Sequence, residues 1–542
     1  MASLALDKKK EKTEKNSNNS LSVKICEAFK KCDSTGGKEL NLDNCNLTEL
    51  PQEVIKKYKS TLEFLNVSNN HLTTLPDNFN ELTELEILFF YNNDFIVFPK
   101  ILGTMPIYML SFKKCKLKEI PEEAINESIN WLILTDNEIE TLPKSIGTCK
   151  FLRKCLLAGN QLTSLPTEMK NCQSLELLRI SANNLKEIPS FIFELPRLAW
   201  FAFASNPCLK EIVGNSSLKF IDSNDIELVE KLGEGASGVV WSANISSESS
   251  TSAAKERTDS GNKMNKKRKC SSNSSVKKDS VKAAIKIFKD SMTSDGLPGD
   301  EMKIMSIVGR EIDNLFKPEL RYNPLPSVIG NAEVDGKSAL IMHLIPKNEF
   351  TILGNPPDFD SCTRDTFSSN LRLDARDILS ITYAVLNAIN YMHENKISHG
   401  DIYAHNIMIE NRSKDNNYIA TCLCDFGAST FYRGGVDKKF EANLEKIEVR
   451  AFGNLIEDLL KSEKTENGLR PHCLADDDDG SDYYLEQYNS FLRQLEDIQY
   501  DCQEEDINAR PGMKALLCRM KDIRVSNASW LRQYGYFCQR FY

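Results

Sequence analysis

Between Leu40 and Asn206 one polar position returns at a nearly fixed interval inside an otherwise apolar pattern, and few folds can absorb that spacing. It falls at Cys45, Asn70, Asn93, Cys115, Asn137, Asn160, Asn183 and Asn206, at intervals of 25, 23, 22, 22, 23, 23 and 23. Around it the chain reads L-x-x-L-x-L-x-x-N-x-L, with Leu-Pro or its equivalent at 50–51, 75–76, 98–99, 120–121, 142–143, 165–166 and 188–189. A unit this short cannot bury an apolar face alone. Residues such as Leu65, Val67 and Leu72 are covered only when neighbouring units stack on them. The Asn is expected to turn inward and hydrogen-bond backbone groups that the curved chain leaves without ladder partners. Cys45 and Cys115 substitute a smaller side chain with a weak S–H donor.

This pattern resembles leucine-rich repeats. The resemblance implies a solenoid of about eight repeats over 38–210. Ahead of it Val23, Ile25, Ala28 and Phe29 predict a short helix in an N-terminal cap over 21–37, and the Lys- and Asn-rich residues 1–20 read as a disordered basic tail. The variable strand positions Glu63, Asn66, Glu86, Phe89, Tyr108, Ser111, Arg153, Arg179, Ala199 and Ala202 are expected to lie exposed on the concave face. Extended concave faces of this kind serve protein recognition, so a protein partner is expected there. After Pro207 the pattern fails, and a polar linker over 211–224 closes the array.

Composition narrows the class of the whole chain. An apolar fraction of 41% and a charged fraction of 27% over 542 residues describe several globular units. A net charge of -9 argues against general nucleic-acid binding. The 16 cysteines form no dense framework and no paired C-x-x-C spacing, so reduced thiols in a cytoplasmic setting are expected. No apolar run approaches the ~20 residues that span a bilayer. A Ser- and Lys-rich insertion over about 246–280 contains Lys266–Lys269, a candidate nuclear-import patch whose plainer reading is a solvated loop.

The second half carries a different chemistry. After the alternating apolar residues Ile226, Leu228 and Leu232 comes Gly233-Glu234-Gly235-Ala236-Ser237-Gly238-Val239-Val240. Glycines there let backbone N–H groups approach phosphate oxygens, and a hairpin turn is the alternative reading. Ala283-Ala284-Ile285-Lys286-Ile287 places one lysine inside an apolar strand, where it needs a carboxylate partner. Glu301 and Glu311 are the candidates. Glu301 follows Pro298-Gly299-Asp300, where an acidic residue serves a helix N-terminus; Glu311 lies among Ile307, Val308, Ile312 and Leu315 and is preferred. Further on stand His399-Gly400-Asp401-Ile402-Tyr403-Ala404-His405-Asn406 and Cys424-Asp425-Phe426-Gly427.

These stretches, in this order, resemble the signature of protein kinases. The resemblance implies a two-lobed kinase-like domain over 225–525, giving a multidomain α/β and α+β chain with an aromatic tail over 526–542. It implies ATP and Mg²⁺ as cofactors and a protein substrate phosphorylated on Ser or Thr. Asp401 would orient the hydroxyl and accept its proton; Lys286 would meet the phosphates with Glu311 as its carboxylate partner; Asn406 and Asp425 would bind the metal. Gly233, Gly235, Gly238, Val240, Ala284, His343, Leu344 and Ile345 would form the nucleotide site. The chain departs from the family at Gly400, where an Arg is usual, and at Tyr403, where a phosphate-facing Lys is usual. The segment after Gly427 is short and lacks Ala-Pro-Glu, so Arg510 would need Glu441 or Glu445 as partner. A pseudokinase scaffold, with the repeats as binding module, is the alternative these departures favour.

Overall fold

The computed structural model describes residues 23–209, 218–235, 237–246, 280–289, 292–309, 323–371, 373–411, 419–433, 436–463 and 481–531. The basic tail, Lys266–Lys269, Glu311, the acidic run Asp476–Asp479 and the tail beyond Leu531 lie outside them, as do most of the insertion and part of the linker.

The first half is one all-parallel sheet whose eight strands pair in sequence order. They are β1 (Glu39–Asn41), β2 (Phe64–Asn66), β3 (Ile87–Phe89), β4 (Met109–Ser111), β5 (Trp131–Ile133), β6 (Lys154–Leu156), β7 (Leu177–Arg179) and β8 (Trp200–Ala202). A helix over 23–34 (α1) covers the open end, and α2 (Gln52–Tyr58) packs beside it with Tyr58 Oη bonded to Asp33. The register places Leu40, Leu65, Leu88, Leu110, Leu132, Cys155, Leu178 and Phe201 in one unbroken row, fully buried. The inward Asn behaves as its chemistry dictates. Asn70 accepts from the N–H groups of Cys45 and Leu47 at 3.0 and 2.9 Å and donates to the carbonyls of Leu42, Val67 and Ser68. Cys115 does the smaller version, its thiol donating to Phe90 O at 2.9 Å.

Each unit reaches that position through one left-handed residue: Asn44, Asn69, Asn92, Lys114, Asp136, Gly159, Ala182 and Ser205 have φ between 52° and 70°. Non-glycine residues enter that region at a cost. The bonds made by the Asn that follows offset it.

The second half has two lobes. In the small lobe β9 (Ile226–Glu234), β10 (Gly238–Ser246), β11 (Ser280–Phe288), β12 (Val328–Val334) and β13 (Lys337–His343) form a sheet in the order β12-β13-β11-β10-β9, with α3 (Pro298–Val308) against it. The large lobe is built on α4 (Ala375–Glu394). Its start is fixed by a capping box in which Asp374 and Asp377 exchange side-chain and backbone bonds. Around it lie β14 (Phe350–Ile352), β15 (Ile397–Ser398), β16 (Ile407–Glu410), β17 (Thr421–Leu423), β18 (Thr430–Phe431), α5 (Lys438–Glu463), α6 (Ser481–Cys502) and α7 (Met513–Ser526). Trp530 is buried against Phe491, so the described start of the aromatic tail packs on this lobe. No helix of the described residues is long and apolar enough to cross a membrane.

The halves share their cores. Trp131, Ile133, Leu156, Leu177 and Trp200, all on the concave side of β5–β8, join the apolar cluster of the large lobe. In return Tyr432, Leu444 and Ile447 join the core of the repeats, and Phe440 meets Phe193 edge-on at 4.9 Å. The expectation of an exposed concave face is therefore corrected. Glu63 and Glu86 stay exposed, but Ser111, Arg179, Ala199 and Ala202 are buried, because the second half of the same chain is seated on them.

Candidate active site

Strand register brings the small-lobe residues together. Val240 pairs with Lys286 across β10 and β11, and Ala284 lies two residues along, so the three share one face of the sheet. The glycine turn joins β9 to β10, with Gly235 N–H donating to Gly238 O at 2.9 Å. A Cβ on Gly238 would lie 2.6 Å from Ile287 O, which is why that position carries none; Gly233 and Gly235 face open space.

Lys286 Nζ lies 2.5 Å from Glu301 Oε1 and 3.9 Å from Asp425 Oδ1. The preferred partner Glu311 falls outside the described residues, and the carboxylate that holds Lys286 is Glu301. Glu301 is buried in the first turn of α3, and its carboxylate turns inward to Lys286 of β11. Burial alone would pull the Lys286 ammonium down; Glu301 and Asp425 outweigh it and hold it above its ordinary value.

The catalytic stretch leaves β15 with Gly400 in the left-handed region, φ 76°. Asn406 uses both amide protons on Asp401, to its backbone O at 2.9 Å and its Oδ2 at 2.8 Å. Asn406 O accepts from Cys424 N–H at 2.7 Å, which ties this loop to Asp425-Phe426-Gly427. Asp425, at φ 57°, turns its carboxylate back to Gly427 N–H at 3.2 Å. His399 and Phe426 pack ring to ring at 5.1 Å beneath the loop, and burial holds the His399 imidazole below its usual value, neutral. His405 is bound to Asp365 at 2.7 Å; burial would lower its imidazole, but that carboxylate outweighs burial and raises it.

The oxygen donors fit a hard divalent cation. Both amide protons of Asn406 are spent on Asp401, so its side-chain oxygen is the atom left for a cation, and the Asp425 side chain is 53% exposed. Mg²⁺ is ordinarily held by one or two carboxylates together with substrate phosphates rather than by an all-protein cage.

The hinge needs one adjustment. His343 spends its N–H on Ser327 O at 3.0 Å, so that N–H is not available to a ligand edge. Arg510 is also corrected: it donates to the carbonyls of Glu504, Lys446 and Pro196, while Glu441 binds Lys396 and Glu445 binds Met513 N–H. Burial and the neighbouring Arg450 bring its guanidinium down to about 9.

Four groups at the site were not singled out as site residues from the sequence. Glu448 accepts from Gly400 N–H at 2.5 Å and meets His393 Nε2 at 2.7 Å. Trp200 stacks on Tyr403 with centroids 4.3 Å apart and donates to Ile402 O at 3.0 Å. Arg179 donates to Asp401 Oδ1, to Gly400 O at 2.9 Å and to Asp295 Oδ1 at 2.8 Å. Asp295 enters from the segment ahead of α3. Burial alone would raise the Asp401 carboxyl; Arg179 outweighs burial, with His405 adding, and holds it below the usual carboxylate range.

Comparison with known proteins agrees with both halves. The family model described as "Protein kinase domain" matches residues 327–445, and "Leucine Rich Repeat" matches 61–82. The chain joins a leucine-rich repeat to a protein kinase domain. It is 36% identical over 92 residues to the B1 kinase of Vaccinia virus (strain Ankara), covering 17% of this chain and 28% of that protein. It is 45% identical over 64 residues to the serine/threonine-protein kinase US3 homolog of Cercopithecine herpesvirus 9 (strain DHV), covering 12% and 17%. It is 28% identical over 122 residues to the serine/threonine-protein kinase VRK1 of Caenorhabditis elegans, covering 22% and 18%. The chain thus spans less than a third of the length of the curated relatives it matches.

Proposed function

We propose that this chain is an ATP- and Mg²⁺-dependent protein kinase that phosphorylates Ser or Thr, carried on a solenoid of eight leucine-rich repeats. One observation carries the reading. Lys286, Glu301 and Asp425, distant in sequence, meet at one point, next to an Asp401–Asn406 pair in hydrogen-bond contact.

Phosphoryl transfer asks little covalent chemistry of a protein; it asks for positioning and fixed charge. Gly233, Gly235 and Gly238 supply backbone N–H groups for phosphate oxygens, and Lys286 supplies a positive charge that Glu301 keeps in place. Val240, Ala284, Leu344 and Ile345 line the adenine end. Asp401 orients the substrate hydroxyl and takes its proton. Asn406 and Asp425 would hold the metal, which when bound neutralises charge on the transferring phosphates. The relatives named as serine/threonine kinases support Ser or Thr as acceptor. Free thiols at Cys115, Cys149, Cys155 and Cys172 inside the repeat core support a cytoplasmic setting. A protein partner on the repeats would use the N-terminal strands, where Glu63 and Glu86 stay exposed.

The test is transfer from labelled ATP with Mg²⁺ by the full chain, beside Lys286→Met and Asp425→Asn. Incorporation that both substitutions abolish supports the kinase. Transfer by the full chain and by Arg179→Ala no higher than by Lys286→Met and Asp425→Asn supports the scaffold reading.

A further inference from the structure

The surface of the repeats that meets the large lobe does not meet it at an arbitrary place. Both carboxylate oxygens of Asp401 are engaged, Oδ1 by the Arg179 guanidinium and Oδ2 by Asn406. Arg179 is 2% exposed and is braced from behind by Asp295. Trp200 lies flat on Tyr403, two residues after Asp401, and Phe203 N–H donates to Thr430 Oγ1 at 3.3 Å just past Gly427. A hydroxyl that must reach Asp401 from a polypeptide substrate meets the side chains of β7 and β8 first.

The backbone of the loop is shaped to the same contact. A Cβ at Gly400 would sit 2.9 Å from Phe201 O of the repeats and 2.6 Å from Ala428 O. Only glycine lets the strand come that close. The Lys286–Glu301 pair is intact and Gly233 and Gly235 face open space, while the repeats reach the small lobe ahead of and at the start of α3, through Arg179 on Asp295 and Ser205 on Asp300.

We propose that the concave face of the repeats is an inhibitory surface for the chain's own kinase domain, with Arg179 as the latch on Asp401, giving a closed form that binds nucleotide and excludes protein substrate. The proposal rests on the kinase reading above. Coupling of this kind makes closure and substrate access mutually exclusive, so weakening the contact raises activity by the factor it had suppressed.

The experiment uses the full chain as wild type, Arg179→Ala, Trp200→Ala and Asp401→Asn, with casein and histone as protein acceptors. Phosphorylation is read from labelled ATP and nucleotide affinity from a fluorescent ATP analogue. Expected is a rise in acceptor phosphorylation of about 5- to 150-fold for Arg179→Ala and Trp200→Ala, with nucleotide affinity unchanged. Acceptor phosphorylation by wild type equal to or above that of the two variants, at equal nucleotide affinity, overturns the latch and leaves the kinase reading standing. Should either alanine variant lose nucleotide binding, Arg179→Met and Trp200→Leu, which keep bulk but lose the charge and the ring, must show the rise; no rise overturns the latch. Should no protein show transfer above Asp401→Asn, the kinase reading fails and the latch with it.

Discussion

Lys154 offers a measurement that needs no substrate. It sits in β6 with 6% of its surface exposed, its ammonium 4.0 Å above the Trp131 ring, and no carboxylate within ion-pair distance among the described residues. Burial is the main cause of its lowered value, from 10.5 to about 8, against partial help from Cys362 and Asp401. At 1.36 kcal/mol per pH unit, holding that charge inside costs about 3 kcal/mol at neutral pH. The ring returns about 0.5–2 kcal/mol of this. Lys154→Met keeps the length of the side chain and removes the charge, so the variant should be more stable by about 1–3 kcal/mol at pH 7. The sign with pH follows from linkage. Below pH 8 both states carry the proton and the cost is fully present. Between about 8 and 10.5 the unfolded chain holds more protons than the folded one, so wild-type stability rises with pH and the gap to the Met variant closes. Denaturant midpoints at pH 7 and pH 10 read both effects. A Met variant less stable at pH 7, or a gap that does not narrow by pH 10, would refute the burial argument.

Two further substitutions test other parts of the reading. Glu301→Ala leaves the Lys286 ammonium buried without its carboxylate; a loss of about 3–5 kcal/mol in stability is expected, together with weakened nucleotide binding, read by denaturation and by titration with a fluorescent ATP analogue. Asn137→Ala orphans the buried N–H groups of Cys115 and Leu117, which it accepts at 2.9 and 3.0 Å; each should cost about 1–3 kcal/mol, seen as a lowered denaturation midpoint.

What could be read from sequence was what periodicity and spacing encode. The interval of the inward Asn gives a stacked parallel sheet because no other arrangement covers Leu65 and Val67 in every unit. The five-residue step from Asp401 to Asn406 likewise delivers a bonded pair. The partner of Lys286 was not legible, since an acid three residues past Pro298 has the same local signature whether it serves the helix end or a buried lysine. Only the inward turn of that carboxylate to Lys286 decides for Glu301. The covered concave face did leave a trace. Trp131, Ile133, Leu156, Leu177 and Trp200 occupy variable strand positions with large apolar side chains, and a free binding face would leave that surface in water.

The positions where the catalytic stretch departs from the kinase pattern gain a physical reason from this docking. A side chain at Gly400 would collide with Phe201 O and Ala428 O, so an arginine there is incompatible with the repeats lying where they do. Tyr403, in the place of a phosphate-facing lysine, offers Trp200 a ring parallel to within 8°. An ammonium in its place would be buried under an indole next to the Arg179 guanidinium. Each departure removes charge or bulk from the large-lobe side of the seam, and Arg179 brings positive charge back from the repeat side. The charge balance around Asp401 is therefore set by two halves of the chain together.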